Sequence, residues 1–221
     1  MDILVSLPNA MAAGTELLAP LFTAPSSDPM GLYVKLTALV DRGWELDARF
    51  AAFFTGLEKT HPGPLYTPQL SEEEQLVDEE EELGKVFPVA FHFTNLQTAH
   101  LCMMYWASTS ILWSGMAVAY AFLTAYGFGA ELPPLEHRAD RTVPVKNICQ
   151  SIEYCFRDEH QSTGKTSAIF PLKVAIETLN DSKGCERELA WANEVMKKVG
   201  GSARLMKFTG VPWTNHDYLP A

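Results

Sequence analysis

No CxxC pair occurs in this sequence; its four cysteines, Cys102, Cys149, Cys155 and Cys185, stand apart from one another. That spacing argues against a structural zinc site, and four cysteines in 221 residues are too few for a disulfide scaffold. Reduced thiols inside a cell are the default expectation. There is no G-x-S-x-G serine elbow and no H-E-x-x-H zinc helix. Glycine and proline, 14 each, are too sparse for a collagen-like chain, and 47% apolar residues exclude a disordered one. Bases are scarce at the front: residues 1–130 hold 5 basic and 15 acidic side chains, whereas 131–221 hold 12 of each. With a net charge of −10 the chain has no basic surplus to release counterions from phosphates, so direct nucleic-acid binding is not expected. An N-terminal segment with Asp2, no base and only five apolar residues does not read as a secretory signal.

Charge is absent altogether from Val86 to Ala130. Within that stretch Leu101–Leu123 is apolar enough to raise a membrane span, which needs about 20 residues. Against a span stand Ser108, Thr109, Ser110 and Ser114 inside it and the lack of a flanking Lys/Arg cluster. A helix apolar all round is equally the central helix of a soluble bundle, and that is the expectation adopted, with no membrane partner. The opposite extreme is Ser71–Gly84, with eight acids and no base, which reads as a hydrated mobile loop.

Periodicity predicts an all-α architecture, a helical bundle or array around a long buried apolar central helix. Residues 1–27, rich in Ala, Pro and Ser, read as an irregular N-terminal segment. Residues 28–221 read as a single helical domain with the acidic mobile loop at about 66–86. Asp28-Pro29 has the form of an N-cap with proline in the first turn. A stripe from Leu32 through Val40 to Leu57 follows, with Lys35, Asp41, Arg42, Glu45, Asp47 and Arg49 mostly on the outer face. Thr94 and Gln97 fit a capping box opening a helix that runs to about Tyr126 and is stopped by Gly127 and Gly129, with Gly115 the expected place for a bend or a close helix contact. Further stripes fall at Val145–Phe156, behind Phe170-Pro171, at Leu189–Val199, and in a short segment at Ala203–Phe208. No alternating run predicts a strand.

Candidate chemistry is thin, and neither catalytic nor metal-ligating residues are assigned; any ligand-binding residues stay unknown. Ser162–Thr166 ends like a phosphate-binding loop, but Glu159 stands where its first glycine belongs, and the segment reads as a flexible connection. His92 and His100 lack a third ligand at a suitable spacing, so no metal cofactor is expected; His100 reads as a hydrogen-bonded histidine at the core border. Asp158-Glu159-His160 reads as a solvated helix end, since adjacent helical residues do not face one another. Cys149 falls on an apolar stripe and reads as a small buried hydrophobe; Cys155 falls on another face. Trp106 and Trp113, among the tyrosines and methionines of the central helix, either fill a core or line an apolar cavity for a small ligand.

Four segments in order carry a resemblance: Tyr105-Trp106-Ala107, Ile148-Cys149-Gln150-Ser151-Ile152-Glu153-Tyr154, Phe170-Pro171-Leu172-Lys173-Val174-Ala175 and Glu188-Leu189-Ala190-Trp191. Over residues 90–208 the chain resembles the C-terminal regulatory region of fungal zinc-cluster transcription factors. The resemblance implies a nuclear all-α effector domain that restrains activity, senses a small apolar metabolite or binds protein partners, whether transcription machinery or a second copy, without catalysis or cofactor. The family's DNA-binding module, six closely spaced cysteines, has no counterpart in these residues, in keeping with the acidity. Without the resemblance the compartment would read as cytoplasmic. The alternative is a small helical enzyme of fungal secondary metabolism with an apolar pocket near Trp106 and Trp113, in which His100 or Cys149 meets an acid or base.

Overall fold

Asp28 begins the first long helix as its spacing predicts: its Oδ1 accepts the Gly31 amide at 2.9 Å, and Pro29 occupies the first turn, where no amide is needed. The computed structural model describes residues 9, 12–22, 28–72, 84–129 and 132–199. Among the described residues a helix covers 12–18, α1, followed by a 3-10 turn at Ala19–Phe22. These residues depart from the irregular segment expected over 1–27. Leu17 and Leu18 find apolar partners that local composition does not reveal, and Leu18 is 2% exposed.

Helix α2 spans Pro29–Thr60, and β1 (Tyr66–Leu70) pairs antiparallel with β2 (Val89–Phe93), Tyr66 opposite Phe93 and Leu70 opposite Val89. The small sheet was not expected. Thr67-Pro68-Gln69 carries no apolar alternation, and three of the five β2 residues are buried, so neither strand shows a period of two. The Ser71 amide donates to the Pro88 carbonyl at 3.0 Å, which sets the hydrogen-bonded pairs at odd positions of β1. Pro68, having no amide, therefore loses no bond to β2. The loop expected at 66–86 thus begins with a strand, and most of its acidic block, residues 73–83, lies outside the described residues.

Helix α3 (Leu96–Ala125) is the long apolar helix, continuous through Gly115. Its cap is Asn95, not Thr94: Asn95 Oδ1 accepts the Thr98 amide at 2.8 Å, while Thr94 Oγ1 lies 3.0 Å from His61 Nε2. It ends as predicted at Gly127, φ +85°, with the Phe128 amide on the Leu123 carbonyl (2.8 Å) and the Gly127 amide on the Thr124 carbonyl (3.0 Å). Among the described residues α3 alone is long and apolar enough to cross a membrane, and half of its most apolar window is buried within the protein. The remaining helices are α4 (Thr142–Cys155), α5 (Gln161–Asn180) and α6 (Glu186–Val199). Helix α5 starts well before Phe170-Pro171, so Pro171 lies buried inside it rather than opening it. Ser162–Thr166, expected as a flexible connection, belongs to its first turns. The segment predicted at Ala203–Phe208 lies outside the described residues.

The architecture is all-α with a small sheet, and the described residues fall into two compact units. Among the described residues, the first comprises those within 1–54 and 111–141, and the second those within 55–110 and 142–199. In the first, Leu18, Leu32, Leu36, Val40, Ala119, Phe122 and Leu123 form one apolar cluster. Gly43 is tight against this packing: a Cβ there would lie 2.8 Å from Met116 Cγ. The second unit buries Val145, Ile148 and Ile152 of α4, Leu172, Ala175 and Leu179 of α5, and Ala192 and Val195 of α6. Each fully buried Ile or Leu contributes about 2 kcal/mol. Gly164 lets α5 approach the end of α4, since a Cβ there would sit 2.1 Å from the Cys155 carbonyl oxygen.

Candidate functional site

Polar side chains converge at two places, one in each unit. The first is built on Asp47, which follows Gly43 by four residues and precedes Phe50 by three, and so lies on the inward face of α2. It is 7% exposed, contrary to the outer-face expectation. Its Oδ1 accepts Trp113 Nε1 of α3 at 2.7 Å. Its Oδ2 accepts Arg138, with Nε at 2.8 Å and Nη2 at 2.7 Å. The guanidinium carbon lies 4.5 Å from the centre of the Trp44 ring. Trp44 Nε1 in turn donates to Tyr120 Oη at 2.9 Å, and Tyr120 donates to the Pro133 carbonyl at 2.9 Å. His137 meets Trp113 edge-on at 5.6 Å between ring centres. A carboxylate, a guanidinium and two indoles are thus mutually satisfied in one partly buried corner.

The second place joins β2 to the end of α4. Arg157 Nη2 donates to His92 Nδ1 at 2.8 Å, which requires an unprotonated acceptor nitrogen. Burial, followed by the Arg157 charge, holds the His92 imidazole below its usual range. Arg157 lies over Tyr154 at 5.4 Å, and Tyr154 packs against Phe93 at 5.4 Å and His160 at 4.6 Å. Glu153, 7% exposed, accepts the Glu72 amide at 3.2 Å. Asp158–His160 forms a 3-10 turn in which the two acids are exposed but His160 is packed, so the solvated-end reading holds for only part of it.

Trp106 and Trp113 take separate partners. Trp106 belongs to the second unit, where Tyr66 (5.6 Å) and Phe91 (6.0 Å) surround it; Trp113 serves Asp47 in the first. His100 Nδ1 is buried without a hydrogen-bond partner among the described residues, unlike the bonded histidine expected. Cys149 and Cys155 are both buried despite their different helical faces. Burial pushes the Cys102 and Cys155 thiols up to about 12, and raises Cys149 as well, so none is poised as a thiolate. Among the described residues no three His, Cys, Asp or Glu side chains converge to hold a metal ion. Sequence reasoning missed Asp47, Arg138, His92 and Arg157 as partners. Asp47 alone carried a signal, its place between Gly43 and Phe50 on the apolar stripe. Arg138 and Arg157 stand in short turns with no period to read.

Comparison with known proteins gives no family model, no curated protein and no solved structure that matches this chain.

Proposed function

We propose that the chain is a regulatory and interaction domain of a fungal transcription factor, nuclear and without catalysis, which binds protein partners and not nucleic acid. The observation that carries the reading is the place of the resembling segments. Ile148, Cys149, Ser151, Ile152 and Tyr154 of α4, and Pro171, Leu172, Val174 and Ala175 of α5, are all buried. Most residues of these two segments therefore pack this pair of helices, Phe170 alone being exposed, as expected if the likeness is one of helical framework. A non-catalytic role is supported by how the polar groups are spent. Both Asp47 oxygens are taken, His92 is held by Arg157, and the thiols are desolvated.

The test is a reporter assay in a fungal host, with the chain fused between a heterologous DNA-binding domain and an activation domain. Output is expected to change severalfold relative to the fusion without the chain. Unchanged output overturns the reading. Tight duplex binding by the chain alone in a gel-shift assay at physiological salt overturns its nucleic-acid part.

A further inference from the structure

The geometry points to a guanidinium receptor at the Asp47 corner, which Arg138 occupies as a tethered ligand. The walls of this corner are braced by partners other than Arg138. Trp113 Nε1 holds Asp47 Oδ1 at 2.7 Å and leaves Oδ2 for the cation. Tyr120 fixes the Trp44 indole at 2.9 Å, so its face is turned to the place where the guanidinium lies. A carboxylate 7% exposed and an indole face are the two elements that recognise a planar cation, one by charge-assisted hydrogen bonds and one by its quadrupole. Arg138 places both Nε and Nη2 on Oδ2, which an ammonium cannot reproduce.

The occupant, by contrast, comes from an irregular segment. Arg138 sits in the 3-10 turn Glu136–Ala139, whose first residue has φ +52° without being glycine. Its other acidic contact, Glu136 at 3.9 Å, is largely exposed. The receptor thus stands on two long helices and its ligand on a short strap; when the strap leaves, its other contacts with α3, His137 edge-on to Trp113 at 5.6 Å and Arg141 Nη1 to Ser114 Oγ at 3.4 Å, part with it, while the Trp113–Asp47 and Tyr120–Trp44 bonds of the walls remain. The ligand class that exchanges with Arg138 is a guanidinium group, in a protein context an arginine side chain of another polypeptide. This holds whether or not the chain acts in transcription.

Chemical rescue tests it. Arg138→Ala is expected to lower Tm by about 10 °C, as breaking a buried pair does in a chain of this size. Methylguanidinium at low millimolar concentration is expected to restore most of that loss in a saturable way and to shift the tryptophan fluorescence. The natural sequence, its receptor filled, should respond to neither, and the double variant D47N/R138A should show no rescue. Absence of saturable rescue overturns the proposal, as does equal rescue of the double variant or equal rescue by methylammonium. Arg138→Met, which keeps the aliphatic stem, serves as the second variant. If neither variant folds even when refolded with methylguanidinium, the receptor does not exist without its arginine and the proposal falls.

Discussion

The two units reach stability by different routes. The second takes most of its helical core from neighbours in sequence: α4, α5 and α6 follow one another and their apolar stripes meet in chain order, while β1 and β2 join it from a distance, as where His92 meets Arg157 65 residues on. The first is assembled from pieces far apart. Trp44 and Tyr120 are 76 residues apart, Asp47 and Trp113 are 66 apart, and Asp47 and Arg138 are 91 apart. Its apolar cluster is supplemented by a desolvated ion pair with directional partners. Helices joined by short turns need little beyond matched apolar faces, whereas segments brought together from a distance must also be held in register. A buried network that is fully satisfied supplies such specificity, at the cost of a large penalty when one member is lost.

That penalty gives the largest expected effect. Asp47→Ala strands the Arg138 guanidinium and should cost about 4 kcal/mol in urea unfolding. All four cysteines belong to the second unit, so their reaction with a thiol reagent at pH 8 reports on that unit alone. If the two routes are as distinct as described, labelling in Asp47→Ala stays slow while tryptophan fluorescence registers the loss. Fast labelling would erase the contrast. In the second unit Gly164→Ala forces a methyl against the Cys155 carbonyl and should cost about 2 kcal/mol, with the thiols now exposed sooner. Asp28→Ala removes only a helix cap and should cost about 1 kcal/mol by thermal melting.

The smallest effect is in pH. The folded state holds His92 neutral below its usual range, whereas the unfolded chain takes up a proton near the ordinary value of 6.5. Unfolding is then favoured as pH falls. The stability from this group is complete above about 6.5 and is lost on descending through the lowered folded value. His92→Gln should flatten that part of the stability–pH curve measured by urea titration. An unchanged slope would place the acid sensitivity elsewhere.

Legibility in the sequence followed the distance between partners, in both units. The stripes of α4 and α6, the cap at Asp28 and the stop at Gly127 could be read because each depends on residues within one or two turns. The cap of α3 was misplaced by one residue because Thr94 and Asn95 offer the same chemistry, and the choice falls to His61, 33 positions away. The helix over residues 12–18 and the hairpin were not legible, since each owes its existence to partners outside its own segment. The Asp47 corner shows the limit most plainly. An acid among Arg42, Glu45 and Arg49 looks like one more surface charge, and nothing nearby announces a guanidinium 91 residues on.

Pro68 at the middle of β1 has a consequence beyond its own pairing. With odd positions bonded to β2, the even ones turn outward, and the central outward position offers a carbonyl but no donor. An incoming strand from another molecule would find a gap where it needs a proton. The outer edge of β1 is thereby blunted chemically rather than sterically, which disfavours its pairing with a strand of another molecule.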